Sequence, residues 1–397
     1  MQKKMISGIA LAVSMVCMSA AYAQSAAAQA PGPVQFAVSG VGDAQFEYVD
    51  AVDAAVPAQD KRGRFRVSNV SSELAFRASV DLGNGMTGLA NFTTGVNVDN
   101  ANANANAGMW GNAKDVYVGI AFADIGTVKL GRMTAAARWN SGTADFSPMG
   151  AGLQDDQGML SGASGQSAVG PQFNVRFDNT LAFESASFGG LSARVYYSAN
   201  EGKSATGAPN SPHLDDGSYS LGLQYVHGPL DLRLSGELRK DKGTLNGSTD
   251  HNTRDRDFRF GMRYTLPDGT ILGLGHDRMR LTDANATGTA KSLLTKHGTV
   301  VSAKHAFGKH VLYGGYGVGS DVHCEYGDGS ACNGNDTGAR NAVIAYQYVF
   351  NKQMMIEGFA AIVKNEARGR YDFDSGGVGP AVGAQSRAVG AGLRYAF

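Results

Sequence analysis

The sequence predicts an all-β chain, a 16-stranded antiparallel transmembrane β-barrel, and three observations predict it. The carboxy-terminal segment alternates, with Val389, Ala391, Leu393, Tyr395 and Phe397 on one face and an aromatic last residue. Apolar residues at every second position mark a strand with one greasy face. The amino terminus reads as an export signal: Lys3 and Lys4, an apolar run from Ile6 to Ala20, then Ala21-Tyr22-Ala23 before Gln24. Beyond that run no stretch approaches the roughly 18 apolar residues of a membrane helix. A membrane chain without such helices must close its backbone hydrogen bonds in a barrel.

The expected organisation is therefore a signal peptide over 1–23 and a barrel over 24–397. Cys17 suggests a lipoprotein, but the Val16 before it is not the small residue a lipobox needs. Cleavage after Ala30 would leave Pro31 at the new terminus, a poor context, so Gln24 is taken as the mature start.

Within 24–397 one rhythm repeats: strand, tight turn, strand, long polar loop. Tight turns are read at Asn84-Gly85, Asp124-Ile125-Gly126, Phe188-Gly189-Gly190, His227-Gly228-Pro229, Pro267-Asp268-Gly269, Phe307-Gly308-Lys309 and Phe350-Asn351-Lys352. Long loops fall near 50–60, 99–112, 134–170, 201–217, 243–253, 283–296, 322–339 and 366–386. These connections join sixteen strands, the even number expected of a bacterial barrel, with both ends on the periplasmic side. Alternation is plainest over 173–185, where Phe173, Val175, Phe177, Leu181 and Phe183 are expected on one face opposite Asn174, Arg176, Asp178, Thr180 and Glu184. A soluble sandwich would share the period; the signal and the aromatic terminus favour the membrane.

Net charge is zero at neutral pH, with 35 basic and 35 acidic residues, which gives no support to nucleic-acid binding. Only Cys324 and Cys332 follow the signal, around a glycine-rich acidic segment. Passage through an oxidising periplasm favours a local disulfide between them. Asp250-His251 and His323 beside Cys324 lie in expected external loops and read as solvated polar groups, so no metal, cofactor or catalytic residue is assigned. The Asn-Ala run over 100–107 reads as a loop tip.

Four segments carry a resemblance: FRASVDLGNGMTG (76–88), VYVGIAFADIGTVKLGR (116–132), FDNTLAFESASFGGLSARVYY (177–197) and LRYAF (393–397). Together they resemble the general diffusion porins of Gram-negative bacteria, in particular the beta-proteobacterial branch, from about Val34 to Phe397. The resemblance implies a sixteen-stranded barrel in the outer membrane, a homotrimer, and an inward-folded third external loop in each lumen. It also implies partners in outer-membrane lipid and lipopolysaccharide, and in the barrel assembly machinery, which would read Tyr395 and Phe397.

The third loop would be the long connection from Thr134 to Gly170, carrying Asp145, Asp155 and Asp156. Facing it, Arg77, Lys129 and Arg176 are expected on the polar faces of their strands and Arg132 where its strand enters the loop. The resemblance places Arg132 and Arg176 in the basic ladder of a constriction. Two departures stand out. Glu73 precedes Leu74-Ala75-Phe76 where many relatives have Arg, and the loop reads Asp145-Phe146-Ser147-Pro148-Met149-Gly150 in place of Pro-Glu-Phe-Gly-Gly. Opposed acids and bases would order water and bias ions. The expected function is a water-filled channel for passive diffusion of small hydrophilic solutes and ions. The rivals are a substrate-selective channel, for which no line of lumen aromatics is evident, and an outer-membrane barrel adhesin or enzyme. Inward residues of both signs, Arg233 and Glu237 among them, leave ion preference open.

Overall fold

The computed structural model describes residues 32–99, 110–147, 152–161, 173–199, 217–240, 254–284, 291–326, 332–374 and 376–397. The expected signal peptide, the Asn-Ala run and Asp250-His251 lie outside the described residues.

Eighteen strand segments form one closed antiparallel sheet. In chain order they are β1 (Gln35–Val52), β2 (Lys61–Asn69), β3 (Glu73–Gly83), β4 (Met86–Val96), β5 (Trp110–Phe122), β6 (Gly126–Thr134), β7 (Arg176–Ser185), β8 (Leu191–Ser198) and β9 (Ser218–His227). The second half comprises β10 (Leu230–Lys240), β11 (Arg254–Thr265), β12 (Ile271–Ala284), β13 (Lys291–Phe307), β14 (His310–Gly319), β15 (His323–Tyr326), β16 (Ala339–Val349), β17 (Met354–Asn365) and β18 (Gln385–Ala396). Two short helices, α1 (Ala136–Ser141) and α2 (Gln157–Ser161), lie in the connection between β6 and β7. Among the described residues no helix is long and apolar enough to cross a membrane.

The wall has sixteen staves. β2 and β3 are one stave, because both pair with β1, β3 at Gln35–Val41 and β2 from Ala44 onward. The break at Val70-Ser71-Ser72 is bridged: Ser72 Oγ accepts from Asp43 N at 2.8 Å, and Val70 N donates to Asp43 O at 3.1 Å. β15 is a flap on β13, paired over Ser292–Thr295, above the level where β14 and β16 meet. The seven tight turns fall where the sequence places them, six with a positive-φ Gly and two of those with Asn84 or Asp124 also in the left-handed region. The expected loop over 283–296 is shorter, since β12 runs to Ala284 and β13 starts at Lys291.

Exposed apolar residues form the outer rows, among them Phe46, Phe65, Ile120, Leu130, Leu221, Phe258, Ile344 and Leu393. Polar residues form the inner rows. One stretch departs from the expected alternation. Asn179 has φ 51°, and the β6–β7 register shifts between Gly131 and Met133. Such a bulge flips the faces of one strand. Leu181 and Phe183 therefore look out, whereas Phe177 turns inward to pack with Met133, Ala136 and Tyr196, and Phe173 is buried with Ala137 and Met279.

The barrel closes where β18 meets β1, with Val41 opposite Ala396 and Val52 opposite Gln385. Phe397 seals the seam: its N–H donates to Gly40 O at 3.0 Å and its carbonyl accepts from Gly40 N at 3.0 Å. Its ring covers Gly40, where any Cβ would collide with it. Deleting Phe397 removes both bonds and an outward aromatic, so the truncated chain is expected at markedly lower levels as folded barrel in membranes. Heat-modifiable mobility on gels checks this; undiminished folded protein would refute it.

Candidate lumen site

The described parts of the connection between β6 and β7, 135–147 and 152–161, lie against inner-row residues of β8 to β16. Its first part repeats one device twice. Trp139 rests on the flat floor left by Gly222, whose added Cβ would sit 3.0 Å from the indole, and lies between the guanidiniums of Arg194 (4.2 Å) and Arg233 (4.4 Å). Seven residues on, Phe146 rests on Gly273 beneath Arg263 (5.3 Å) and Lys304 (5.5 Å), with Tyr313 edge-on at 6.0 Å. Cations over aromatic faces contribute about 0.5–2 kcal/mol each according to desolvation. Backbone carbonyls add to the hold. Arg233 Nη1 donates to Trp139 O at 2.8 Å, and Arg263 Nη2 donates to Gly142 O.

A second set of contacts is buried. Arg259, on the inner row of β11, donates to Ala137 O at 2.9 Å and to Ser141 Oγ. Lys296 Nζ donates to Met159 O at 2.7 Å, and Ser302 Oγ to Ala144 O. Gly275 and Gly298 leave room for Leu160 and the Met159 carbonyl. The segments 366–374 and 376–384 close over the same connection: Asn174 Nδ2 donates to Asp374 Oδ2 at 2.9 Å, and Tyr371 packs on Gly319.

The expected acidic face takes a different place. Asp145, Asp155 and Asp156 are 8%, 5% and 0% exposed, so they belong to the packing beneath the connection rather than to open water. Asp156 accepts from Tyr313 Oη at 2.9 Å and Asn341 Nδ2 at 2.6 Å. Burial, then Asp145, push its carboxyl up to about 7. Burial, with Asp145 and Asp374 nearby, holds Asp155 well above the usual carboxylate range. Gln157 Nε2 ties the cluster by donating to Asp145 at 2.6 Å.

Arg132 also differs from expectation. Met133, 3% exposed, faces inward with Ala136 and Tyr196, whereas Leu130 is 56% exposed on the outer row. Arg132 continues the outward row of Val128 and Leu130, and there it pairs with Asp178. It does not line the lumen. Arg176 is paired too, Nε to Asp115 Oδ1 at 2.7 Å, with Thr134 Oγ1 on the same carboxylate at 2.9 Å. Arg77 is on the inner row of β3 and donates to Ser39 Oγ at 2.8 Å. Glu73, on that row, pairs with Lys114 at 2.8 Å.

Lys129 does face inward, bound to Glu184 at 2.6 Å and set 4.9 Å from the Tyr117 ring. It begins a basic arc that sequence reasoning, which named Lys129 and Arg233 as inward, did not assemble: Lys129, Arg194, Arg233, Arg263 and Lys304, on β6, β8, β10, β11 and β13. The last four lie three to five residues from a tight turn, hence at one height toward the periplasmic side. Two carboxylates accompany them, Glu184 and Asp231, the latter 2.8 Å from Arg233. Among the described residues Arg263 and Lys304 have no ion pair. The opposite staves carry Asp43, Glu47 and Glu357, which are buried on the inner side of β1 and β17. Arg394 pairs with Asp43 at 2.9 Å and Arg66 with Glu47 at 2.5 Å.

Away from the lumen, Cys324 and Cys332 are joined by a disulfide, Cα atoms 5.9 Å apart. No group of His, Cys, Asp and Glu among the described residues is placed to hold a metal ion.

Comparison with known proteins agrees with this architecture. The family model for Gram-negative porins matches residues 10–368. The chain belongs to the Gram-negative porin family. A curated relative, an outer membrane porin protein of Bordetella pertussis, is 27% identical over 188 residues, 46% of each chain. The chain thus spans about half the length of that relative in the match. Among solved structures it is similar to an anion-selective porin from Comamonas acidovorans (TM-score 0.71, 20% identity), covering 92% of this chain and 100% of that one. The trimer form of OmpT, an outer membrane protein of Vibrio cholerae, follows at TM-score 0.61 and 15% identity, covering 92% and 99%. These identities speak for the fold. Family and barrel together place the protein in the outer membrane of a Gram-negative cell.

Proposed function

We propose that this porin is a water-filled channel for passive diffusion of small hydrophilic solutes and ions, and that it favours anions. The observation that carries the reading is the inner wall. Its rows are polar and charged around the barrel, and one connection is bedded on them so as to narrow the passage. A charged, partly occupied lumen admits hydrated solutes and bars apolar ones. The anion preference rests on the basic arc, where five cations against two carboxylates leave a formal charge of +3.

The carboxylates under the connection serve a different role from the one expected of them. Buried and hydrogen-bonded, they position the loop. The reading assigns no catalysis and no cofactor.

Association as a homotrimer is part of the proposal, supported by the family and by the trimer form of the Vibrio protein. So are export by a signal peptide over 1–23, reading of Tyr395 and Phe397 by the barrel assembly machinery, and contact with lipopolysaccharide. Purified protein in planar bilayers is expected to give stepwise ohmic conductance in KCl, with the reversal potential under a salt gradient on the anion side. Absence of steps from correctly folded, heat-modifiable protein would refute the channel, and a cation-side potential would refute the preference.

A further inference from the structure

The outer surface of β11 and β12 carries a feature that the channel does not use. From the external end, the outward row of β11 reads Arg254, Arg256, Phe258, Phe260, and that of β12 reads Arg280, Arg278, His276, Leu274. The intervening residues Asp255, Asp257, Asp277 and Met279 are buried on the inner side, which fixes the direction of both rows. All four arginines are exposed. Arg256 stands directly opposite Arg280, and Arg278 opposite Phe258. None of the four makes an ion pair with a described residue.

Like charges directly opposite each other across a strand pair are destabilising, because their Cβ atoms lie only about 4.5–5.5 Å apart. Here two adjacent rows place four guanidiniums together, and among the described residues none of them is offset by a paired carboxylate. The height is also specific. Arg254 is ten residues from Tyr264 at the periplasmic end of β11, about 25 Å along the membrane normal at ~3.4 Å per residue and ~40° tilt, which equals the apolar band of such barrels. By the same ruler Arg256 and Arg280 stand about 21 Å and Arg278 about 16 Å above the periplasmic end, so the cluster occupies the external part of the band, and below it β11 turns apolar at once and β12 after His276. A ligand matching both halves has an anionic head and an acyl body.

We propose that Arg254, Arg256, Arg278 and Arg280 form a binding site for the phosphate groups of a phosphorylated lipid headgroup in the external leaflet, with its acyl chains along Phe258, Phe260 and Leu274. Guanidinium forks match phosphate oxygens in pairs, so four of them can hold one or two phosphates and cancel their own repulsion. The proposal deepens the reading that outer-membrane lipids are partners and rests on the outer-membrane placement; it is independent of the pore.

The test compares wild-type trimer with R256Q/R280Q, each delipidated in mild detergent and then titrated with bisphosphorylated lipid A, with its dephosphorylated form, or with inorganic phosphate, bound lipid being counted by native mass spectrometry. Bisphosphorylated lipid A is expected to bind wild type at least about tenfold more tightly than the variant, and about tenfold more tightly than its dephosphorylated form. R340Q/K364Q, which removes outward cations elsewhere on the external rim, is expected to bind as wild type does. Equal binding by wild type and R256Q/R280Q, or equal binding of the two lipid forms, would overturn the site. Displacement of lipid A by millimolar inorganic phosphate would show a free-anion site and overturn the lipid assignment. The single variant R280Q, expected to lose part of the affinity, gives the same comparison should the double variant not assemble. Conductance of R256Q/R280Q is expected to equal that of wild type, so failure of the channel reading would appear in both proteins and leave the lipid result standing.

Discussion

Replacing Arg194, Arg233, Arg263 and Lys304 by Gln is expected to move the reversal potential towards cations, with chloride permeability falling and potassium permeability rising about fivefold each in 0.1 M salt, so that their ratio falls roughly 25-fold. A charge ~8 Å from an ion in water acts with about 0.5 kcal/mol, so four act with about 2, and screening over a ~10 Å Debye length leaves roughly 1 kcal/mol. At 1 M, where the Debye length is about 3 Å, the difference should shrink to less than twofold. R263Q/K304Q, which removes the two cations without ion pairs, is expected to give about half the shift in free energy. Arg132→Gln supplies the contrast. Its guanidinium lies on the outer row against Asp178, so the ratio should stay as in wild type. A shift from Arg132→Gln equal to that of the arc, or none from the arc at either salt, would sink the assignment. Conductance read in the same traces shows whether the loop has stayed in place, since Arg233 and Arg263 also hold Trp139 and Gly142.

How far the sequence discloses this channel depends on the length scale. The turns were legible because each must reverse two strands in a few residues, which demands Gly, Asn or Asp at named positions, and the stave count followed from them. The break in the second stave was not legible. Val70-Ser71-Ser72 reads as ordinary polar alternation, and only the approach of Asp43 explains it. Arg132 could have been placed correctly by counting. It is three residues from Lys129, an odd spacing, so the two must lie on opposite faces of one strand. Phe177 could not, because the flip at Asn179 depends on a register shift against β6.

The arc and the glycine floor were hidden for another reason. Arg194, Arg233, Arg263 and Lys304 are spread over more than a hundred residues, and the hairpin repeat alone brings them to one height. Gly222, Gly273, Gly275, Gly298 and Gly315 pass in a sequence of 54 glycines as composition. In the fold, each is an inner-row position whose missing side chain is the room that Trp139, Phe146, Leu160, Met159 and Asp156 occupy. The carboxylates of the loop were found as residues but misplaced in role. A sequence shows an acid in a polar loop; it does not show that Tyr313 and Asn341, some 160 and 185 residues later, will bury it.

The same burial makes Asp156 the point at which the loop is most sensitive. Gly315→Ala would drive a methyl into Asp156 Oδ2, and overpacking of this kind costs about 1–3 kcal/mol, enough to shift a docking equilibrium roughly five- to 150-fold. The expected result is a channel of larger conductance with frequent transitions between levels. pH acts on the same contact. With the loop in place the Asp156 carboxyl titrates at about 7, raised by burial and by Asp145, against 3.8 when free. The docked state therefore holds the proton more tightly, so docking is strongest below about pH 4, weakens as pH rises, and has lost this contribution once pH passes about 7. Open-level fluctuations should accordingly be more frequent at pH 8.5 than at pH 5. Asp156→Asn keeps an acceptor for Asn341 and a polar partner for Tyr313 without a titrating group, so it should fluctuate at pH 8.5 as wild type does at pH 5. Wild-type traces identical at the two pH values, or Asp156→Asn retaining the full wild-type pH response, would show that the carboxylate does not govern the loop.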